Sequence, residues 1–179
     1  MITIISGTDR ANSNTLKIAK IAQKLLEDKG EKTQMIDLAS LPPNLFRPEN
    51  YGSKAPEFAT YQKMILETDG ILNVVPEYNG SYPGAIKYFI DLLKFPESLH
   101  RKPAGFIGLA AGIFAGVRAV EHLEMVYSYR EANLFGQRVF IPKVREKISA
   151  DGKEISDKPI YDMMKSMLEN FAKFVKSLS

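Results

Sequence analysis

"GILNVVPEYNGSYPGAIKYFIDLL" (residues 70–93) is the stretch from which the architecture can be read. Its first six residues form a short, mostly apolar run with no alternation of apolar and polar positions, the pattern of a strand covered on both faces. Pro76 ends the run, Asn79-Gly80 and Pro83-Gly84 break regular structure, and apolar residues then return at helical spacing to about Lys94. Buried strand, turn and helix make half of a strand–helix–strand crossover, the connection that parallel neighbours require.

The same unit recurs outward from this stretch. Before it come a strand at 2–6 ("ITIIS"), a helix at 14–29, a strand at 33–38 ("TQMIDL"), a polar, proline-rich loop at 39–56 and a helix at 57–68. After it come a strand at 103–110 ("PAGFIGLA"), a helix at 115–131, a fifth strand at 136–142 ("GQRVFIP"), an Asp-Gly turn and a closing helix at 158–178. Ile160, Met164, Met167, Phe171 and Phe174 form the apolar stripe of that last helix. Five such alternations predict a flavodoxin-like, doubly wound five-stranded parallel sheet, order 2-1-3-4-5, with helices on both faces in a single α/β domain spanning 1–179.

Composition narrows the chemistry. With 45% hydrophobic and 25% charged residues over 179 positions, the chain can bury one substantial core. It has no cysteine, so disulfides, thiolate metal sites and thiol catalysis are excluded. The formal net charge of +3 is spread along the chain rather than clustered, which gives no nucleic-acid footprint. No apolar run approaches the roughly 18 residues of a membrane helix, and no targeting segment is visible, so the expectation is a cytoplasmic protein that does not enter a membrane.

In a doubly wound sheet, ligands sit beyond the carboxyl ends of the strands. Three loops lie there. "SGTDRANSNTLKIA" (6–19) sets Thr8, Arg10, Ser13, Asn14 and Thr15 between a strand and a helix start, where hydroxyls, free backbone N–H groups and a guanidinium suit a phosphate. Neither GxxxxGK[ST] nor GxGxxG is present, so the loop is neither a Walker P-loop nor a dinucleotide turn. Asp37 reads as a turn residue at a strand end. In the second loop, Asn79, Gly80, Pro83 and Gly84 break regular structure, so the backbone donors and acceptors of Pro76, Glu77, Tyr78, Asn79, Gly80 and Ser81 are expected to be open to a flat heterocycle. The third loop, with Ala110, Ala111 and Gly112, is small enough for close backbone approach. His100 and His122 have no serine or cysteine nearby in sequence, and no acidic or histidine cluster suggests a metal. An enzyme built this way needs a cofactor to carry the chemistry.

"GTDRANSNTL" (7–16) and "VVPEYNGSYPGAIKYFIDLLK" (74–94), about sixty residues apart, resemble the NADPH-dependent FMN reductase family of quinone, chromate and azo-dye reductases, whose pattern is approximately GSxRxxSxN followed by PEYNxSxPGxLKNAIDW. "GVRAVEHL" (116–123) and "SADGKEISD" (149–157) extend the similarity. Thr8 replaces the family's serine, Thr15 stands where asparagine is common, Tyr88 and Leu92 replace asparagine and tryptophan, and Ala110 and Ala111 occupy a region where some members carry serine.

The resemblance implies FMN with its phosphate on Thr8, Arg10, Ser13, Asn14 and Thr15 and its ring on residues 76–81 and 110–112. It also implies NADPH or NADH as hydride donor, a quinone-like acceptor or free FMN, ping-pong kinetics, and a homodimer or homotetramer with "MVYSYRE" (125–131) as a candidate contact. An electron carrier of the flavodoxin kind and a flavin-binding protein without turnover are the alternatives. The basic charge and the absence of a TxTGxT phosphate loop weigh against a flavodoxin.

Overall fold

The computed structural model describes residues 1–47 and 55–178. Strands β1 (Ile2–Ser6), β2 (Thr33–Asp37), β3 (Gly70–Pro76) and β4 (Pro103–Leu109) alternate with helices α1 (Asn14–Glu27), α2 (Phe58–Glu67), α3 (Gly84–Leu92) and α4 (Val117–Tyr129). The sheet is parallel in the order β2-β1-β3-β4, with β5 (Asn133–Leu134) and β6 (Val139–Ile141) both along the outer edge of β4. A short helix α5 (Val144–Lys147) and the long α6 (Lys158–Ser177) complete the chain. The strand order is the flavodoxin-like one, 2-1-3-4-5 with the fifth strand interrupted.

That interruption corrects the fifth strand expected at 136–142. Pro103 pairs with Asn133 and Ala104 with Leu134, but Ile107 then pairs with Val139, so four residues (135–138) stand opposite two (105–106). The excess cannot stay in the ladder, and it loops out between the two short strands. Helix ends also shift inward from the expected 14–29, 57–68, 115–131 and 158–178. The long loop expected at 39–56 falls partly outside the described residues. Its first part makes two 3₁₀ turns, Leu38–Ser40 and Pro43–Phe46, with Leu41 and Leu45 buried and the Leu45 carbonyl accepting from the Tyr88 hydroxyl at 2.6 Å.

Period-2 alternation on the strands divides two cores. Ile5, Ile71, Val75 and Phe106 face α2, α3 and α4, whereas Ile4, Leu72, Val74, Ile107 and Leu109 face α1 and α6. A polar pair lies within the first core: the Asn73 amide oxygen accepts from the buried Tyr127 hydroxyl at 2.8 Å while the Tyr127 ring stands edge-on to Phe106. Burial pushes the Tyr127 phenol well above its ordinary range, so it stays a neutral donor.

At the start of α4, Gly116 (φ +84°) is required twice over. Its backbone lies in the left-handed region, and a Cβ there would come within 2.5 Å of the Leu109 nitrogen. The third loop is therefore folded directly onto the end of β4. Among the described residues, no helix is long and apolar enough to cross a membrane.

Candidate flavin site

The carboxyl ends of β1, β3 and β4 bring the three loops to one edge, where a cleft of about 320 Å³ opens. Its walls include Arg10, Ser13, Asn14 and Thr15 from the first loop, Pro76, Glu77 and Tyr78 from the second, and Ala110 and Ala111 from the third. Of the residues singled out in the sequence, Thr8, Asn79, Gly80, Ser81 and Gly112 do not line this cleft.

Each of these residues has a definite place. Thr8 is fully buried beneath the cleft; its hydroxyl meets the Tyr78 hydroxyl at 2.7 Å and accepts the Arg10 N–H at 3.3 Å, tying the first loop to the second. Ser13 caps α1, its Oγ accepting the Leu16 N–H at 3.1 Å, which leaves the hydroxyl proton for another acceptor. Arg10 lies over the Tyr78 ring at 6.0 Å.

The second loop differs from expectation. Tyr78 and Ser81 exchange backbone hydrogen bonds of 2.8 and 3.0 Å around Asn79 (φ +52°) and Gly80 (φ +75°), a two-residue Asn-Gly turn in the type I′ region. The Glu77 N–H donates to the Leu109 carbonyl at 3.0 Å. Much of this backbone is therefore satisfied internally, because the dipeptide that breaks the strand also closes a tight hairpin. The third loop is likewise partly closed: the Ala110 N–H donates to Ile141, and the Ala110 and Gly112 carbonyls accept from Val144 and Lys143. Backbone contact by the third loop is narrowed to Ala111 and the Gly112 N–H.

Three features of this region escaped the sequence reading. Val144 and Arg145, at the start of α5, complete the wall of the cleft, although no motif marks them. His122 on α4 meets the Ser81 hydroxyl at 3.0 Å, a serine partner 41 residues away that local spacing could not reveal. Arg118, one helical turn before His122, lies 3.8 Å from where a Gly80 Cβ would stand, so α4 braces the Asn-Gly turn from outside. His100, in contrast, pairs with Glu131 in another part of the fold.

The cleft's donor set fits a phosphate-bearing flavin. Arg10 and the capped start of α1 provide an anion-binding end, and the Pro76–Tyr78 and Ala110–Ala111 walls leave a slot for a flat ring. Glu77 supplies an independent sign: its Oε2 is buried without a hydrogen-bond partner among the described residues. A buried carboxylate oxygen needs a donor, and ribityl hydroxyls and the flavin ring N–H are donors of the right kind.

Known proteins point the same way. Residues 1–146 match the family model for NADPH-dependent FMN reductase. The chain is 30% identical to a 2-hydroxy-1,4-benzoquinone reductase of Burkholderia sp. over 178 residues, covering 90% of this chain and 97% of the relative. It is 24% identical to the quinone reductase of Escherichia coli K12, covering 98% and 95%. Among solved structures, the flavoenzyme NAD(P)H:acceptor oxidoreductase FerB of Paracoccus denitrificans superposes with a TM-score of 0.82 over 98% of this chain and 97% of that one at 22% identity, which shows the shared fold. The chain belongs to the NADPH-dependent FMN reductase family. It is accordingly an FMN-dependent enzyme that takes its electrons from a nicotinamide dinucleotide.

Proposed function

We propose that this enzyme passes electrons from NADPH or NADH to a quinone-like aromatic acceptor, with FMN seated in the cleft at the carboxyl edge of the sheet. The supporting observation is the convergence of Arg10, Ser13, Asn14 and Thr15 with Pro76, Glu77, Tyr78, Ala110 and Ala111 around one cavity. When bound, FMN supplies the hydride and electron-transfer chemistry, so no side-chain nucleophile or metal is needed. The chain's own groups then have distinct tasks. Arg10 and Ser13–Thr15 hold the phosphate, Glu77 accepts from the flavin, and the braced 78–81 turn holds the wall against which the ring lies. Thr8 acts beneath the site by fixing Tyr78, and Gly80 and Ser81 by keeping the turn closed. The quinone reductases among the relatives favour a quinone over free FMN as acceptor.

The assembly is proposed to be a homodimer or a homotetramer. Phe95, Met125 and Tyr129 are 65, 64 and 77% exposed and rim an 820 Å³ groove between α3 and α4 that a second copy would cover. Within "MVYSYRE", Tyr127 turns into the core, Arg130 stacks on Phe95 at the groove, and Met125 and Tyr129 face outward, so the segment serves both packing and contact.

The test is an absorption spectrum of the purified protein with FMN, followed by anaerobic NADPH or NADH and then a benzoquinone. Bleaching by the nicotinamide and recovery with the quinone is the expected result. Inertness toward both nucleotides, with reversible one-electron reduction, would instead identify an electron carrier.

A further inference from the structure

Arg145 lies outside the three loops, yet it lines the same cleft as Arg10. We propose that Arg10 and Arg145 form a two-guanidinium clamp on the flavin phosphate, with Arg145 responsible for much of the preference for FMN over unphosphorylated riboflavin. The inference rests on the FMN reading above and assigns a further binding residue to it.

Charge sets the requirement. A phosphomonoester carries about −1.5 to −2 at neutral pH. The start of α1 and Arg10 together offer roughly +1.5, up to about half a charge short of the full dianion, and a second guanidinium leaves the site net positive toward it. Among the described residues, the other arginine lining the cleft is Arg145.

Its position is fixed from two directions. Arg145 also borders an adjoining hollow of about 240 Å³ together with Asn14 and Lys17, which places it beside the first turn of α1, the phosphate end of the cleft. Its backbone is anchored on both sides. Lys143 (φ +45°) and Val144 donate to the Gly112 and Ala110 carbonyls at 3.0 Å, Val144 is buried, and Lys147 holds Asp157 at 2.6 Å. The side chain remains uncommitted. Arg138 is paired with Glu124 at 3.0 Å and Arg130 donates to the Lys94 carbonyl at 2.8 Å, whereas neither Arg10 nor Arg145 has a carboxylate partner among the described residues. Two unpaired guanidiniums facing one cleft repel each other, and a bound dianion removes that penalty. Guanidinium also suits the task geometrically, since its fork can hold two phosphate oxygens at once.

Fluorescence titrations of the apo-protein with FMN and with riboflavin test the clamp. Wild type should bind FMN more tightly than riboflavin. Arg145→Gln should weaken FMN binding about ten-fold or more, the size of one charge-assisted contact, and leave riboflavin binding within about two-fold. Arg10→Ala should do likewise, and Arg145→Lys should retain part of the FMN affinity by keeping the charge. A second readout needs no flavin: inorganic phosphate should raise the melting temperature of the wild-type apo-protein and raise it less in Arg145→Gln. Equal loss of FMN and riboflavin affinity, or no change in either, overturns the clamp. Wild type that binds no FMN at all overturns the flavin reading itself.

Discussion

The Thr8 hydroxyl is buried at the carboxyl end of β1 and meets the phenolic hydroxyl of Tyr78, seventy residues along the chain, at 2.7 Å. This contact joins the two motifs that identify the family, so the first and second loops are held at a fixed distance. Tyr78→Phe should lower stability by about 1 kcal/mol, because the buried Thr8 oxygen loses its side-chain partner. A urea unfolding midpoint unchanged from wild type would mean that the bond contributes nothing. Ser13 shows how a bland role and a functional one coexist in a single residue. Its oxygen caps α1, yet its proton is free to donate, so the capping reading and the phosphate reading of the sequence are compatible. Glu77 could be placed in the loop from sequence, but its orphaned oxygen is visible only once the surrounding strands bury it.

At the scale of elements, α5 and α6 are coupled through one carboxylate. Asp157 caps α6 by accepting the Ile160 N–H at 3.2 Å and pairs with Lys147 of α5 at 2.6 Å. The Lys147 ammonium, and then the Ile160 N–H, hold the Asp157 carboxyl below the usual carboxylate range. A depressed folded-state pKa contributes stability that is complete above the unfolded value, about 4, and is lost as pH falls through the lowered folded value. Asp157→Asn keeps a capping oxygen but removes the charge. It should therefore melt below wild type at pH 7, with the gap closing as the pH drops below about 4. A gap that persists unchanged into acid would rule out the ion pair as its source. The interrupted fifth strand belongs to this scale too. The sequence reads as one strand over 136–142, and only pairing against β4 decides that 136–138 leave the ladder while the Phe135 N–H still donates to the Ala104 carbonyl.

For the molecule as a whole, the two helical layers leave an exposed aromatic and methionine rim at the α3–α4 groove, a surface suited to a second copy. Tyr129→Glu should shift the protein to a smaller species in light scattering after gel filtration without lowering its melting temperature by more than a few degrees. A wild type that is already monomeric at micromolar concentration would refute the proposed assembly. The first four strands, most helix positions and the three loops were legible in the sequence because periodicity, proline-glycine punctuation and turn residues act over a few neighbours along the chain, and the strand order followed from the doubly wound pattern those elements make. The backbone of residues 76–81, read as open, proved partly closed, because a strand-breaking Asn-Gly also satisfies its own hairpin. The meeting of His122 with Ser81, the brace of Arg118 on Gly80 and the arrival of Arg145 at the cleft have no sequence signal, since each joins elements that the chain separates and only the sheet order brings together. The sequence by itself determined the first four strands, the five longer helices, the ligand-compatible loops and the family they compose. The tertiary structure alone decided which of those loop groups remain free to bind, because burial and pairing across the sheet edge are long-range effects.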